Sequence, residues 1–325
     1  MSGCCSQAAC IAPEEVGCLV GESSPHLCKH WQQSHDAEFP DLTGSVDEEG
    51  SRLPWTGNAL GSMDIGFLAG RTRTRLVGLF GAADSGKTSL LGAWYLLLGR
   101  DVGPDGMSFA GSLTLEGWEN IAGSLRWNTR HGPAFPPHTS SGTGRHPGLL
   151  HLDLQVHDVR RDTLFSDAPG EWFSRWAVRR DAEDATGALW LSEASDVLIV
   201  VADSDALAGP SLGIARTNLV ALLRRVGAER RGRPVALVWT KCDVKVDEQM
   251  RQAVTQAADL ALGSYRTFSV SMHSAPGQEP YNRGQGLIEL FEWALSVQEM
   301  PFHKSVEPEP EPERELLRLV GGVHA

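Results

Sequence analysis

The sequence predicts an α/β fold: a doubly wound, mostly parallel sheet with helices on both faces and one antiparallel edge strand. Three observations predict it. From Arg75 onward, short apolar runs suited to buried strands alternate with helix-length stretches, the pattern of a parallel sheet covered on both sides. A Gly-rich stretch, Gly81-Ala82-Ala83-Asp84-Ser85-Gly86-Lys87-Thr88, directly follows the first of these runs. A polar tetrad, Thr240-Lys241-Cys242-Asp243, directly follows a later one, at the carboxyl end of a strand, where loops of doubly wound sheets meet ligands.

Taken in order, Leu76, Val77, Leu79 and Phe80 form the first buried strand, and Ser89 to Leu98 reads as a buried helix rich in Leu, Ala, Trp and Tyr. Ser108 to Trp118 reads as a strand pair or a strand and turn, followed by a short helix through Leu125. His131 to Gly144 is a loop rich in Pro, Gly, Ser and Thr, a composition suited to a mobile segment over a ligand. Leu150, Leu152, Leu154 and Val156 alternate with polar residues, which predicts a half-exposed edge strand over Leu149 to Val156. A strand near Thr163 to Ser166 runs into Asp167. Val197 to Val201 is continuously aliphatic and predicts a central strand ending at Ala202-Asp203. Then come a helix from Ser211 to Val226, a strand from Val235 to Trp239, a helix from Gln249 to Leu262, a strand from Thr267 to Val270 and a closing helix from Gly286 to Val297. The expected domain occupies residues 70–300.

Outside that domain the sequence changes character. Residues 1–60 are polar, punctuated by Gly and Ser and without sustained periodicity, as a leader would be. Residues 301–325 carry Glu307 to Glu313, an alternation of Glu and Pro that cannot form a helix and predicts a solvated spacer before a short tail.

A length of 325 residues is ample for a sizeable core, and the formal charge of −12 argues against bulk nucleic-acid binding, which favours a basic surface. No apolar run approaches the roughly 18 residues of a membrane span, nor does a signal peptide open the chain. These features predict a soluble cytoplasmic protein. Five of the six cysteines precede residue 30, with Cys242 alone in the body, so disulfides do not frame the fold and a reducing compartment is expected. A zinc site using Cys10, Cys18, Cys28 and His30 is one reading of the leader. Its spacing fits no strong zinc pattern, and a disordered or merely packed leader is preferred.

The chemistry-bearing residues follow from the Gly-rich stretch and the tetrad. Gly81 and Gly86 permit backbone angles that let successive N–H groups, continuing through Ser85 and Ser89, converge on phosphate oxygens at a helix N-terminus. Lys87 then reaches the β and γ phosphates, and the Thr88 hydroxyl is a Mg²⁺ ligand. Lysine usage supports this: of five lysines against 24 arginines, two fall in these motifs, Lys87 and Lys241. The Asp243 carboxylate accepts from the two N–H groups of guanine while adenine presents a mismatched edge, and the Lys241 stem can lie across base and ribose. Asp84 reads as a loop-capping residue in preference to a monovalent-cation ligand.

With these motifs the chain resembles the translation-factor-related (TRAFAC) class of P-loop GTPases, through Gly81 to Thr88, Asp167-Ala168-Pro169-Gly170, Thr240 to Asp243 and the candidate base loop Ser271-Met272. The resemblance implies GTP or GDP with Mg²⁺ as ligands, Asp167 holding Mg²⁺ through water and the Gly170 N–H sensing the γ-phosphate. It also implies a switch I Thr at the metal and the nucleophile. Thr139 is the candidate and Thr143 the alternative. Thr240 stands where Asn is commoner. Asp167 to Phe173, with the Pro-rich switch region and the Cys/His leader, is similar to the bacterial double-GTPase proteins of predicted conflict or signalling systems, which implies a switch acting on an associated protein. Glu171 stands where many small GTPases place a water-orienting Gln. Trp172 and Trp176 share a helix face, with partner contact and core packing both open. A GTP-hydrolysing switch with a slow intrinsic rate is the leading reading. The others are an assembly module with little turnover and a P-loop ATPase or kinase, against which Asp243 argues.

Overall fold

The computed structural model describes residues 3–5, 29–33, 57–70, 74–126, 148–156, 159–272 and 286–297. The chain divides into two compact units, Met1–Arg52 and Leu53–Ala325. In the first, strands Gly3–Cys5 and Trp31–Gln33 pair antiparallel. The second is built on a seven-stranded sheet.

The continuous aliphatic runs become the middle of that sheet because their residues must be apolar on both faces. Strand β1 (Arg75–Phe80) sends Leu76 and Phe80 into one buried cluster and Val77 and Leu79 into the other. The remaining strands are β2 (Met107–Gly111), β3 (Gly148–Val156), β4 (Val159–Asp167), β5 (Val197–Asp203), β6 (Val235–Thr240) and β7 (Arg266–Ser269). Their spatial order is β2-β3-β4-β1-β5-β6-β7. β4, β1, β5, β6 and β7 are mutually parallel, and antiparallel pairing is confined to one side of the sheet, where β3 lies between β2 and β4. On one face lie α1 (Lys87–Leu98), α2 (Leu115–Leu125) and α7 (Leu287–Ser296). On the other lie α3 (Gly170–Val178), α4 (Thr186–Ala194), α5 (Leu212–Glu229) and α6 (Glu248–Leu262). The predicted class is therefore the observed one.

Four details differ from the expectation. β3 is not the outermost strand: β2 pairs along its far side, and β3 is buried from Leu149 to Leu154. Its alternate polar residues are satisfied by partners in place of water. His151 Nε2 lies 2.9 Å from Asp162 Oδ1 with both side chains 1% exposed, and Asp153 is paired with Arg160. The segment Ser108 to Trp118 resolves into the end of β2 and the start of α2, with Ser112 and Thr114 hydroxyls bonded to the His151 backbone. Helix α4 had no counterpart in the sequence reading. Leu60 and Leu68, N-terminal to the expected domain, belong to the core of the second unit, and Leu60 bridges to Leu149 by paired backbone hydrogen bonds of 2.9 Å.

The turn joining α5 to β6, Arg230-Arg231-Gly232-Arg233, supplies donors to helix ends whose last carbonyls lack intrahelical partners. Arg233 Nη2 donates to Ser192 O and Glu229 O at 2.6 and 2.7 Å, and Nη1 to Ser195 O at 2.6 Å. Arg230 reaches Leu262 O and, at 2.7 Å, Ser264 O. One turn thus ties the ends of α4, α5 and α6 together. Arg233→Met should lower unfolding stability by about 2 kcal/mol, since it removes charge-assisted hydrogen bonds worth roughly 1.5–3 kcal/mol each while water repays part of the loss. Arg231→Met, at an exposed neighbour, should change it by less than about 0.5 kcal/mol. Urea unfolding of the two variants checks the pair, and equal stability would contradict the tie.

Candidate nucleotide site

The loop between β1 and α1 is shaped by close approach. A Cβ on Gly81 would stand 2.6 Å from Ser85 Oγ, and Gly86 takes φ +89°, in the left-handed region that side chains avoid. Asp84 adopts φ +59°, which Asp tolerates better than most residues. The Ser85 hydroxyl donates to Ala82 O at 2.8 Å, closing the loop on itself. α1 begins at Lys87, so the first amides of the helix face the loop interior, a ready anion site. Ser89, two residues after Lys87, is buried and also lines the cavity.

Lys87 is 6% exposed, and its ammonium donates to Gly81 O and Ala82 O at 3.0 and 2.8 Å. Burial pushes its pKa down to about 8, against the pull of the carboxylates of Asp167, Glu171 and Asp84. Beside it the Thr88 hydroxyl donates to Asp167 Oδ1 at 2.9 Å, which joins the end of β4 to the start of α1. These two oxygens suit Mg²⁺, which takes one or two protein ligands and completes its octahedron with phosphates and water. Among the described residues no cluster of three His, Cys, Asp or Glu forms a protein-only cage. Gly170 opens α3 against the loop so tightly that a Cβ there would lie 2.0 Å from the Ala83 nitrogen. Glu171 is exposed and lines the same cavity. Arg175, one helical turn on, is paired with Asp184 at 2.8 Å.

The tetrad Thr240 to Asp243 approaches from β6. Thr240 is 4% exposed, and its hydroxyl donates to Ser85 O at 2.8 Å and lies 3.3 Å from Ala202 O. Lys241 follows at φ +52°, with its ammonium 2.8 Å from Asp203 Oδ2. Asp243 is exposed to the cavity, and Ser271 Oγ donates to its Oδ1 at 2.6 Å. Backbone bonds from Val270 N to Trp239 O (2.8 Å) and Cys242 N to Val270 O (3.3 Å) hold the two loops side by side. A cavity of about 520 Å³ runs from the phosphate loop to Asp243, Ser271 and Met272, adequate for a nucleotide-sized ligand.

The structure thus gathers the phosphate loop, Asp167 to Glu171, Thr240 to Asp243 and Ser271-Met272 around one space. Thr139 and Thr143 lie outside the described residues, as do Cys10, Cys18 and Cys28 of the leader. Trp172 and Trp176 are 7% and 0% exposed. Trp172 lies over Gly187 so closely that a Cβ there would be 2.2 Å from the ring, and Trp176 packs 5.9 Å from Phe80. Both indoles are core here, and the outward residues of α3 are Glu171, Arg175 and Val178. Two residues unassigned from sequence also belong to the site: Asp205 lines the cavity, and Asp203 takes the Lys241 ammonium. Their only sequence signal is position, at the carboxyl end of a central parallel strand.

The family profile for Double-GTPase 2 matches residues 75–294, and the chain belongs to that family. No curated protein matches the chain. Among solved structures it is similar to the Arl6/BBS3 small GTPase of Trypanosoma brucei with bound nucleotide analogue GppNp, at 16% identity and a TM-score of 0.36, covering 68% of this chain and 95% of that one. No helix among the described residues is long and apolar enough to cross a membrane.

The Lys87 ammonium gives the site a pH dependence. With its pKa near 8 in the folded chain against 10.5 for an ordinary lysine, nucleotide-free protein above pH 8 must take up a proton to present a cation to phosphate. Triphosphate affinity should therefore fall as pH rises through about 8, by up to tenfold per unit. Stability of the nucleotide-free protein should change in the opposite sense, rising over the same window because the unfolded chain keeps this proton longer. Titrations at pH 7, 8 and 9 should give a steep profile for wild type and a flat one for Lys87→Met. Parallel profiles would contradict the assignment.

Proposed function

We propose that the protein binds GTP and GDP with Mg²⁺, hydrolyses GTP slowly by itself, and acts as a molecular switch on a partner protein in a conflict or signalling system. The observation that carries this reading is the convergence of the Gly81–Thr88 loop, the Thr240–Asp243 tetrad and the Asp167–Gly170 turn on one cavity. Membership in a GTPase family supports it. Bound Mg²⁺ would neutralise charge developing on the β and γ phosphates, held by Thr88 and, through water, Asp167. Lys87 supplies a fixed ammonium at the same phosphates. Asp243 selects guanine by accepting from its two N–H groups, while Ser271 keeps that carboxylate oriented.

Glu171 is the group assigned to the attacking water. It stands at the first turn of α3, exposed on the cavity side, where an ionised carboxylate accepts a hydrogen bond or proton from water but repels the γ-phosphate. That conflict supports a slow intrinsic rate, and Thr139 remains the proposed switch I ligand. The close contact of Gly170 with Ala82 and Ala83 supports switching: α3 rests directly on the phosphate loop, so a γ-phosphate that alters one must alter the other. With both indoles buried, the partner-facing residues here are Arg175 and Val178 of the helix and Arg179 at its C-terminal cap, Val178 being 80% exposed. A reduced Cys242 and the acidic composition suit the cytoplasm.

Single-turnover GTP hydrolysis tests the proposal. Glu171→Ala should slow the chemical step at least about tenfold with GTP affinity within twofold of wild type. Lys87→Ala should abolish measurable hydrolysis in a protein that still unfolds cooperatively. Equal rates for wild type and Glu171→Ala would remove the water-positioning role, and GTP binding without turnover in wild type would favour the assembly module.

A further inference from the structure

β5 ends at Asp203, which pairs in register with Thr240 on β6, so its side chain stands next to the tetrad that begins there. The carboxylate is held from two sides. Oδ1 accepts from Asp205 N and Ala206 N at 3.0 and 3.3 Å, capping the five-residue helix Ser204–Ala208. Oδ2 accepts from Lys241 Nζ at 2.8 Å, with Asp203 11% and Lys241 33% exposed. Among the described residues the cavity wall includes Lys241 but not Asp203. The acid therefore holds the lysine from behind the ligand-facing surface.

A free lysine side chain carries about 2 kcal/mol of rotamer entropy, part of which a ligand must remove if it packs along the stem. A partly buried ammonium clamped to an immobile carboxylate has already lost it. The left-handed backbone at Lys241 fixes the root of the stem, and the ion pair fixes its tip. We propose that Asp203 is a positioning residue for base recognition: it anchors the Lys241 ammonium so that the four-carbon stem presents a preformed apolar rail to the purine and ribose. This rests on the guanine-nucleotide reading above. It also divides labour between the two lysines. Lys87 acts on phosphate as a charge, whereas the charge of Lys241 is consumed by Asp203 and its stem acts on the base. Asp203 should therefore matter equally for GDP and GTP and should leave the chemical step alone.

The test is a double-mutant cycle of Asp203→Asn and Lys241→Met, with GDP and GTP affinities and single-turnover rates measured on the full chain. Asn retains an acceptor for the Asp205 and Ala206 amides, and Met retains the apolar stem. Asp203→Asn should weaken GDP and GTP by the same factor, about tenfold, with the rate at saturating GTP within twofold of wild type. In the Lys241→Met background the same substitution should change affinity by less than about twofold. Unchanged affinity in Asp203→Asn would overturn the proposal. So would an equal loss in both backgrounds, which would mark Asp203 as a helix cap and nothing more. Wild-type protein that binds ADP as tightly as GDP in the same titration would instead overturn the underlying guanine reading, an outcome distinct from both.

Discussion

The buried hydrogen bond from the Thr240 hydroxyl to Ser85 O, 2.8 Å long, is the constraint on which the site depends. It joins residues 155 positions apart and so sets the spacing between the Gly81–Thr88 loop and the Thr240–Asp243 segment across the cavity. A hydroxyl has one proton to give. The second carbonyl within reach, Ala202 O at 3.3 Å, can only share it, so the shorter contact to the loop dominates. Around this bond the other contacts fall into place: Lys241 turns back to Asp203, Asp243 is steadied by Ser271, and Thr88 meets Asp167. All lie just beyond the carboxyl ends of parallel strands, which the covered sheet holds in register.

Much of this was legible in the sequence for a physical reason. β1, β5 and β6 are buried on both faces, so their apolar runs are continuous and few other structures would require them. The phosphate loop was legible because Gly81 and Gly86 answer to backbone geometry that other residues cannot meet. β3 was misread as an edge strand because alternation records which side chains are polar, not whether water or a partner satisfies them. His151 and Asp153 looked like a solvated face, yet they are buried and paired with Asp162 and Arg160. The partners lie on the neighbouring strand, and no local pattern announces the pairing. The indoles of Trp172 and Trp176 could face a partner or the core on spacing alone; Trp172 packs on Gly187, on a helix not foreseen from sequence, and Trp176 on Phe80, which puts both in the core.

The excess of arginine over lysine has a structural counterpart as well. Arg75 donates to Ala294 O and Leu295 O at the end of α7, and Arg230 and Arg233 do the same for α4, α5 and α6. A planar guanidinium with five donors satisfies several diverging carbonyls at once, which an ammonium on a flexible stem does less well. Two of the five lysines, Lys87 and Lys241, line the cavity, where Lys87 donates to Gly81 O and Ala82 O and Lys241 to Asp203 Oδ2.

The central claim is that Asp243 reads guanine in a cavity whose other end binds phosphate. The most direct measurement is competitive binding of GDP and xanthosine diphosphate to wild type and Asp243→Asn. The account predicts that wild type prefers GDP, and that the amide, which can donate to the carbonyl replacing the guanine amino group, reverses the preference while phosphate binding persists. Unchanged preference for GDP in a folded Asp243→Asn protein would contradict it.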